Sequence, residues 1–248
     1  MTRGAILVGA SSGIGEALAR RLAADGYEVG LAARRTERMR RIGAELPTKA
    51  SVATMDVTDT ADAREGFFEL AAAMESVDLV VISAGVGELN RELAWEPTRR
   101  TADVNVRGFA AIATAAMRYF EATADRASKG ERDGAGHLVG ISSVAAHFGN
   151  GSAPAYNASK AFVTTYLEGL RNRQADRDAD VTITTVEPGF VDTDLSMGGF
   201  WECSPETAAE QIARAIEKKR THTYVTRRWR LVVWFLKAMP ERLLRRLV

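Results

Sequence analysis

Short apolar runs alternate along the chain with longer amphipathic stretches. Residues 5–8, 28–32, 50–55, 79–82, 137–141 and 181–186 read as strands. Several of these runs are apolar almost throughout, as expected of strands covered on both faces. Between them, 14–25, 36–46, 60–74, 97–122, 155–174 and 205–219 carry helical periodicity. Alternation of this kind predicts an α/β fold: one doubly wound parallel sheet of about seven strands with helices on both faces. Ser204-Pro205-Glu206 supplies a capping hydroxyl, a first-turn proline and an acid, fixing the start of the last of these helices. Residues 122–136 are small and polar and read as a surface loop.

Composition narrows the class. The chain has 248 residues, 46% hydrophobic and 26% charged, which supports a full core and excludes a disordered chain. A net charge of +1 argues against a globally basic nucleic-acid binder. The single cysteine, Cys203, cannot close an intrachain disulfide, and no Cys/His spacing suggests a metal site. The N-terminus lacks the features of an export signal, and no apolar run approaches the ~20 residues that span a bilayer. A cytoplasmic protein is expected.

The segment Gly9-Ala10-Ser11-Ser12-Gly13-Ile14-Gly15 follows the first strand and opens the first helix. Its glycines allow a tight turn and close approach of a ligand, and the helix start favours a pyrophosphate. The spacing differs from the common G-x-G-x-x-G fingerprint. Dinucleotide folds often carry a ribose-binding acid after the second strand. Here that strand ends Ala32-Ala33-Arg34-Arg35. An uncharged Ala33 removes repulsion toward a 2′-phosphate and Arg34 can pair with it, pointing to NADP(H) over NAD(H). Arg35 reads as the start of a solvated helix.

Tyr156 and Lys160 lie one helical turn apart on one face. A neighbouring positive charge is expected to lower the tyrosine pKa and make it a proton donor to a ketone or an acceptor from an alcohol. Ser143 follows the fifth apolar run, at the strand end where open α/β sheets bind ligands. Asn105 sits mid-helix, against its propensity.

Taken in order, the Gly9/Gly13/Gly15 loop, Asp56-Val57, Ala84-Gly85, Asn105, Ser143, Tyr156/Lys160 and Pro188-Gly189 with Thr193 resemble the short-chain dehydrogenase/reductase family. The resemblance runs from Gly4 to about Lys219 and implies a single Rossmann-type domain. It implies Tyr156 as general acid/base and Lys160 as the group that holds the nicotinamide ribose and lowers the tyrosine pKa. Ser143 would bind the substrate carbonyl, and Asn105 would complete a proton relay through a water. Cofactor contacts would come from Gly9, Ser11, Ser12, Gly13, Ile14, Gly15 and Arg34, from Asp56 and Val57 at the adenine, and from Ala84 and Gly85. Pro188, Gly189, Val191 and Thr193 would lie at the nicotinamide. Ser142 is the neighbouring hydroxyl, with a structural role. One departure is Ser83, where the family usually has asparagine. The resemblance also implies a homodimer or homotetramer.

The expected domain covers 1–226 with a substrate loop at 190–203, whose Leu195, Met197, Phe200 and Trp201 suit a hydrophobic substrate. Gly198-Gly199 would hinge that loop, and Cys203 reads as inert. The tail, 227–248, is basic and amphipathic. From Glu217 to Val248 ten basic residues face two acidic ones. A membrane interface, a partner subunit and the substrate mouth are the readings it admits. The reading reached is an NADP(H)-dependent oxidoreductase interconverting a hydrophobic ketone or aldehyde and its alcohol. The alternatives are an NAD-preferring alcohol dehydrogenase of the same family and a non-catalytic cofactor sensor on the same fold.

Overall fold

The six apolar runs become strands β1 (Gly4–Val8), β2 (Glu28–Ala33), β3 (Ala50–Thr54), β4 (Leu79–Ile82), β5 (Gly136–Ile141) and β6 (Val181–Pro188), and a seventh, β7 (His222–Val225), joins them. In this computed structural model, which describes residues 2–127, 136–175, 181–193, 201–240 and Leu243, they form one sheet in the order β3-β2-β1-β4-β5-β6-β7. Every pairing is parallel, from Val29 beside Ala50 at one edge to Val186 beside Thr223 at the other. β1, β2, β4 and β5 are buried at every position, which is why their sequences are apolar without alternation.

Eight α-helices are described: α1 (Gly13–Ala24), α2 (Thr36–Glu45), α3 (Thr60–Ala72), α4 (Trp95–Ala102), α5 (Phe109–Ala127), α6 (Pro154–Ala175), α7 (Pro205–Glu217) and α8 (Trp229–Ala238). One core lies between the sheet and α1, α2 and α7, around Leu18, Leu22, Met39 and Ile212. The other lies under α3, α5 and α6, around Phe67, Ile112, Phe120 and Leu167. Ser204 caps α7 as its sequence suggests, its hydroxyl accepting from the Thr207 amide at 3.2 Å.

Three local expectations are corrected. The single helix over 97–122 is two helices joined by a wide π-turn, Asp103–Gly108, which holds Asn105. Gly108 is required there, since a methyl at that position would stand 2.7 Å from the Val57 carbonyl oxygen. The polar stretch from 122 continues α5 as far as Ala127, and the remainder of that expected loop, 128–135, lies outside the described residues. β7 is a seventh strand at a place where the sequence pattern located none.

Candidate active site

The sheet order reverses at β1, with β2 on one side and β4 on the other, so the loops leaving β1 and β4 diverge and open a cleft. A cavity of about 620 Å³ fills it, from the glycine loop to Tyr156 and on to Phe190. The geometry at the glycine loop belongs to the backbone. Gly9 has φ +92° and Gly13 φ +53°, the left-handed region. A methyl at Gly9 would lie 2.4 Å from the Ala84 amide nitrogen, and one at Gly15 would lie 2.1 Å from the Gly9 carbonyl oxygen. Ser12, at the start of α1, makes no side-chain cap to the helix. Ser12, Gly13 and Ile14 line the cavity, so the first amides of α1 are available to an anion there.

Arg34 lines the cavity at the end of β2, beside Asp56. Asp56 accepts from the Thr58 amide and hydroxyl, and these bonds, together with Arg34, hold its pKa below the usual carboxylate value against a smaller effect of burial. Arg35 is a correction. It does not simply begin a solvated helix: its guanidinium folds back onto the glycine loop. It donates to Ser11 Oγ and the Ser11 carbonyl, each at 3.1 Å, and to Ser12 Oγ at 2.6 Å. No spacing rule separates Arg34 from Arg35. The choice depends on how the chain twists as it leaves β2.

Across the cavity the site is made of side chains. Gly85 and Gly87 form a floor: a methyl at Gly85 would stand 3.5 Å from both Asn105 Oδ1 and Lys160 Nζ, and one at Gly87 3.1 Å from the Tyr156 ring. Asn105, 1% exposed, donates to the Val86 carbonyl and to Ser159 Oγ and accepts from the Val86 amide. The π-turn is what directs this side chain inward. Ser143 ends the strand segment in extended geometry, accepts from the Ala145 amide and donates to the Pro188 carbonyl at 3.4 Å. The Ser142 hydroxyl is spent on packing partners, donating to the Lys160 carbonyl and bonding Thr164 Oγ1.

Lys160 Nζ donates to the Ile141 carbonyl at 3.0 Å and lies 5.8 Å from the Tyr156 ring centroid. Burial lowers its pKa to about 8. The expected lowering of the Tyr156 pKa by this charge is not the net result. Burial raises the phenol above its ordinary value, and a hydrogen bond with Ser143 opposes that rise.

The structure places the remaining residues named for the cofactor as follows. Val57, Ala84, Pro188, Gly189 and Val191 line the cavity, and the Thr193 methyl lies 3.0 Å from where a Gly13 methyl would be. Ser83 holds β1 through its backbone, its amide donating to the Val8 carbonyl at 2.8 Å. Leu195, Met197, Gly198, Gly199 and Phe200 lie outside the described residues. Trp201 meets Trp229 edge to face at 6.4 Å, and burial raises the Cys203 thiol pKa. Sequence reasoning also missed a buried chain behind Ser142. Thr164 Oγ1 donates to Glu187, and His147 Nε2 approaches the same carboxylate at 2.6 Å. A lone glutamate before Pro188-Gly189 carries no sequence signal of that role.

A parallel sheet with an uncapped glycine loop facing a buried Tyr–Ser–Lys group defines a dinucleotide-binding α/β oxidoreductase. The family model described as short chain dehydrogenase matches residues 3–200, and the chain belongs to the short-chain dehydrogenase family. An uncharacterized oxidoreductase of Mycobacterium tuberculosis is 33% identical, covering 99% of this chain and 98% of that protein. Among solved structures, an alcohol dehydrogenase from Thermococcus sibiricus complexed with 5-hydroxy-NADP superposes with a TM-score of 0.77. The two are 24% identical over 90% of this chain and 96% of that one. A 3-ketoacyl-(acyl-carrier-protein) reductase from Brucella melitensis complexed with NADH gives a TM-score of 0.78, at 23% identity over the same shares.

Proposed function

We propose that the chain is an NADP(H)-dependent oxidoreductase that interconverts a hydrophobic ketone or aldehyde and its alcohol, with Tyr156 as general acid/base. The observation that carries this reading is the convergence of Tyr156, Ser143 and Lys160 on one wall of a cavity whose far end is the glycine loop, with Asn105 buried behind Val86 of that wall. The residues present fit a dinucleotide: two glycines in left-handed geometry, uncapped helix amides and a cavity long enough to reach Tyr156. When bound, the nicotinamide supplies or accepts the hydride. The chain's own residues supply orientation and protons. Ser143 binds the carbonyl oxygen and stabilises the charge that develops on it. Tyr156, kept protonated by burial, donates its phenolic proton to that oxygen. Lys160, held by the Ile141 carbonyl, would bind the ribose hydroxyls of the cofactor, and Asn105 holds the Val86 backbone. Val144, Phe148 and Phe190 make the substrate end apolar.

Two solved structures of the same fold are complexes with different cofactors, one an NADP derivative and one NADH. The preference for NADP(H) therefore rests on this chain's own residues: Ala33 in place of an acid, with Arg34 beside it. A thermal melt in NADPH, NADP⁺, NADH and NAD⁺ tests it. A nucleotide at a hundred times its Kd adds about 2.7 kcal/mol, or roughly 5–10 °C for a chain of this size. Arg34→Ala is expected to weaken NADPH about 10- to 100-fold and leave NADH nearly unchanged. Arg35→Ala is expected to weaken both, because it loosens the loop. Equal weakening of both nucleotides by Arg34→Ala overturns the 2′-phosphate assignment.

A further inference from the structure

Helix α8 is apolar around most of its circumference, which one packed face does not require. Trp229 and Val233 are buried against Val144, and the Trp229 ring closes over Gly189. At roughly 100° per residue the opposite side presents Leu231, Trp234 and Phe235. These are 72%, 71% and 59% exposed. Arg230 and Lys237 run along one border of that apolar arc, and Arg227 precedes it. From Thr226 to Pro240 there is no acidic residue, and among the described residues Arg227, Arg230 and Lys237 form no ion pair.

Two physical arguments identify what covers this face. A large exposed apolar patch on a helix marks a contact surface. A second copy of the chain would meet it isologously, setting arginine against arginine with no acid on the helix to pair them. An anionic bilayer surface answers both features: the headgroups take the basic border, and the tryptophan, phenylalanine and leucine enter the acyl boundary. No described helix is long and apolar enough to cross a membrane, so the contact is a peripheral one. We propose that α8 docks the protein on anionic lipid surfaces. It does so close to the substrate end of the cavity, since Val144 lines that cavity and packs against the inner face of α8. The proposal stands on surface chemistry and does not depend on the cofactor reading.

Flotation of the full chain reads it without turnover. The probes are vesicles of phosphatidylcholine mixed with phosphatidylglycerol, and of phosphatidylcholine alone. The chain is expected to float with the mixed vesicles and much less with the neutral ones. Arg227→Gln, Arg230→Gln and Lys237→Gln combined should lower partitioning on the order of a hundredfold, taking about a fivefold loss per basic residue near the surface. Leu231→Ser, Trp234→Ser and Phe235→Ser combined should abolish flotation while the thermal melt stays close to that of the parent, because all three side chains are exposed. Failure of the parent chain to float with anionic vesicles overturns the proposal. So does flotation that the variants leave unchanged. A light-scattering mass that halves in the serine variant, with no vesicle binding by the parent, assigns the face to a second copy instead.

Discussion

The two ends of the cavity are built by different means. At the cofactor end the shape comes mainly from main chain: Gly9 and Gly15 let β1, α1 and the β4 loop approach to distances that no side chain would permit, Gly13 takes a left-handed turn, and Arg35 ties the loop from outside. At the substrate end it comes from buried and half-buried polar side chains that hold one another: Asn105 on Ser159, Ser142 on Thr164, Thr164 and His147 on Glu187. The difference teaches where each end is vulnerable. A backbone-built turn fails by steric exclusion, and the glycines that make it carry no titrating group. A side-chain-built site fails by loss of a hydrogen-bond partner, and it titrates.

Tyr156→Phe makes the largest break. It removes one proton donor from the side-chain end and nothing from the backbone end. Turnover is expected to fall about a thousandfold, with nucleotide binding in the melt preserved. A variant that turns over normally would show the chemistry lies elsewhere.

Glu187 sharpens the contrast through pH. Burial alone would raise its pKa, yet hydrogen bonds and charge from His147 and His222 bring it down to about 2. A carboxylate lowered on folding adds stability that is present above its unfolded pKa and lost as pH falls through the folded one. The chain should therefore lose on the order of 3 kcal/mol between about pH 4.5 and pH 2 from this group. Glu187→Gln should flatten that segment of the stability–pH curve, as read by urea melts. An unchanged curve would remove Glu187 from the account.

Gly15→Ala addresses the other end. Its methyl would overlap the Gly9 carbonyl, so stability should drop by about 1–3 kcal/mol at every pH, and the melt shift with nucleotide should shrink. A pH-dependent loss would contradict the division drawn above.

The cofactor end was the more legible in the sequence, for the same reason. A glycine needed by the backbone has no substitute, so its spacing survives as a readable signal after a strand. The Tyr156/Lys160 pair was legible because helical periodicity fixes which residues share a face. The π-turn was not: 3.6-residue periodicity runs through residues 97–122 without marking one wider turn. β7 was hidden because its four residues alternate half-buried and buried at the sheet edge, next to a run of basic residues. The Tyr156 pKa was misjudged because proximity of Lys160 can be read from spacing, whereas burial can be read only from packing. Arg35 and Glu187 act through contacts between segments distant in sequence, for which no local pattern exists.

The sheet order also bears on how the chain comes together during synthesis. β1 is made first, yet it occupies the middle, and its second neighbour, Leu79 beside Ala5, arrives some seventy residues later. Until then one side of an entirely apolar strand has no partner. The far edge closes only when His222 to Val225 emerge, the last of the seven strands to be made. Parallel pairings this remote in sequence form slowly and leave adhesive edges open meanwhile. The same order that opens the cleft beside β1 thus gives the nascent chain a long interval in which a holding chaperone has something to hold.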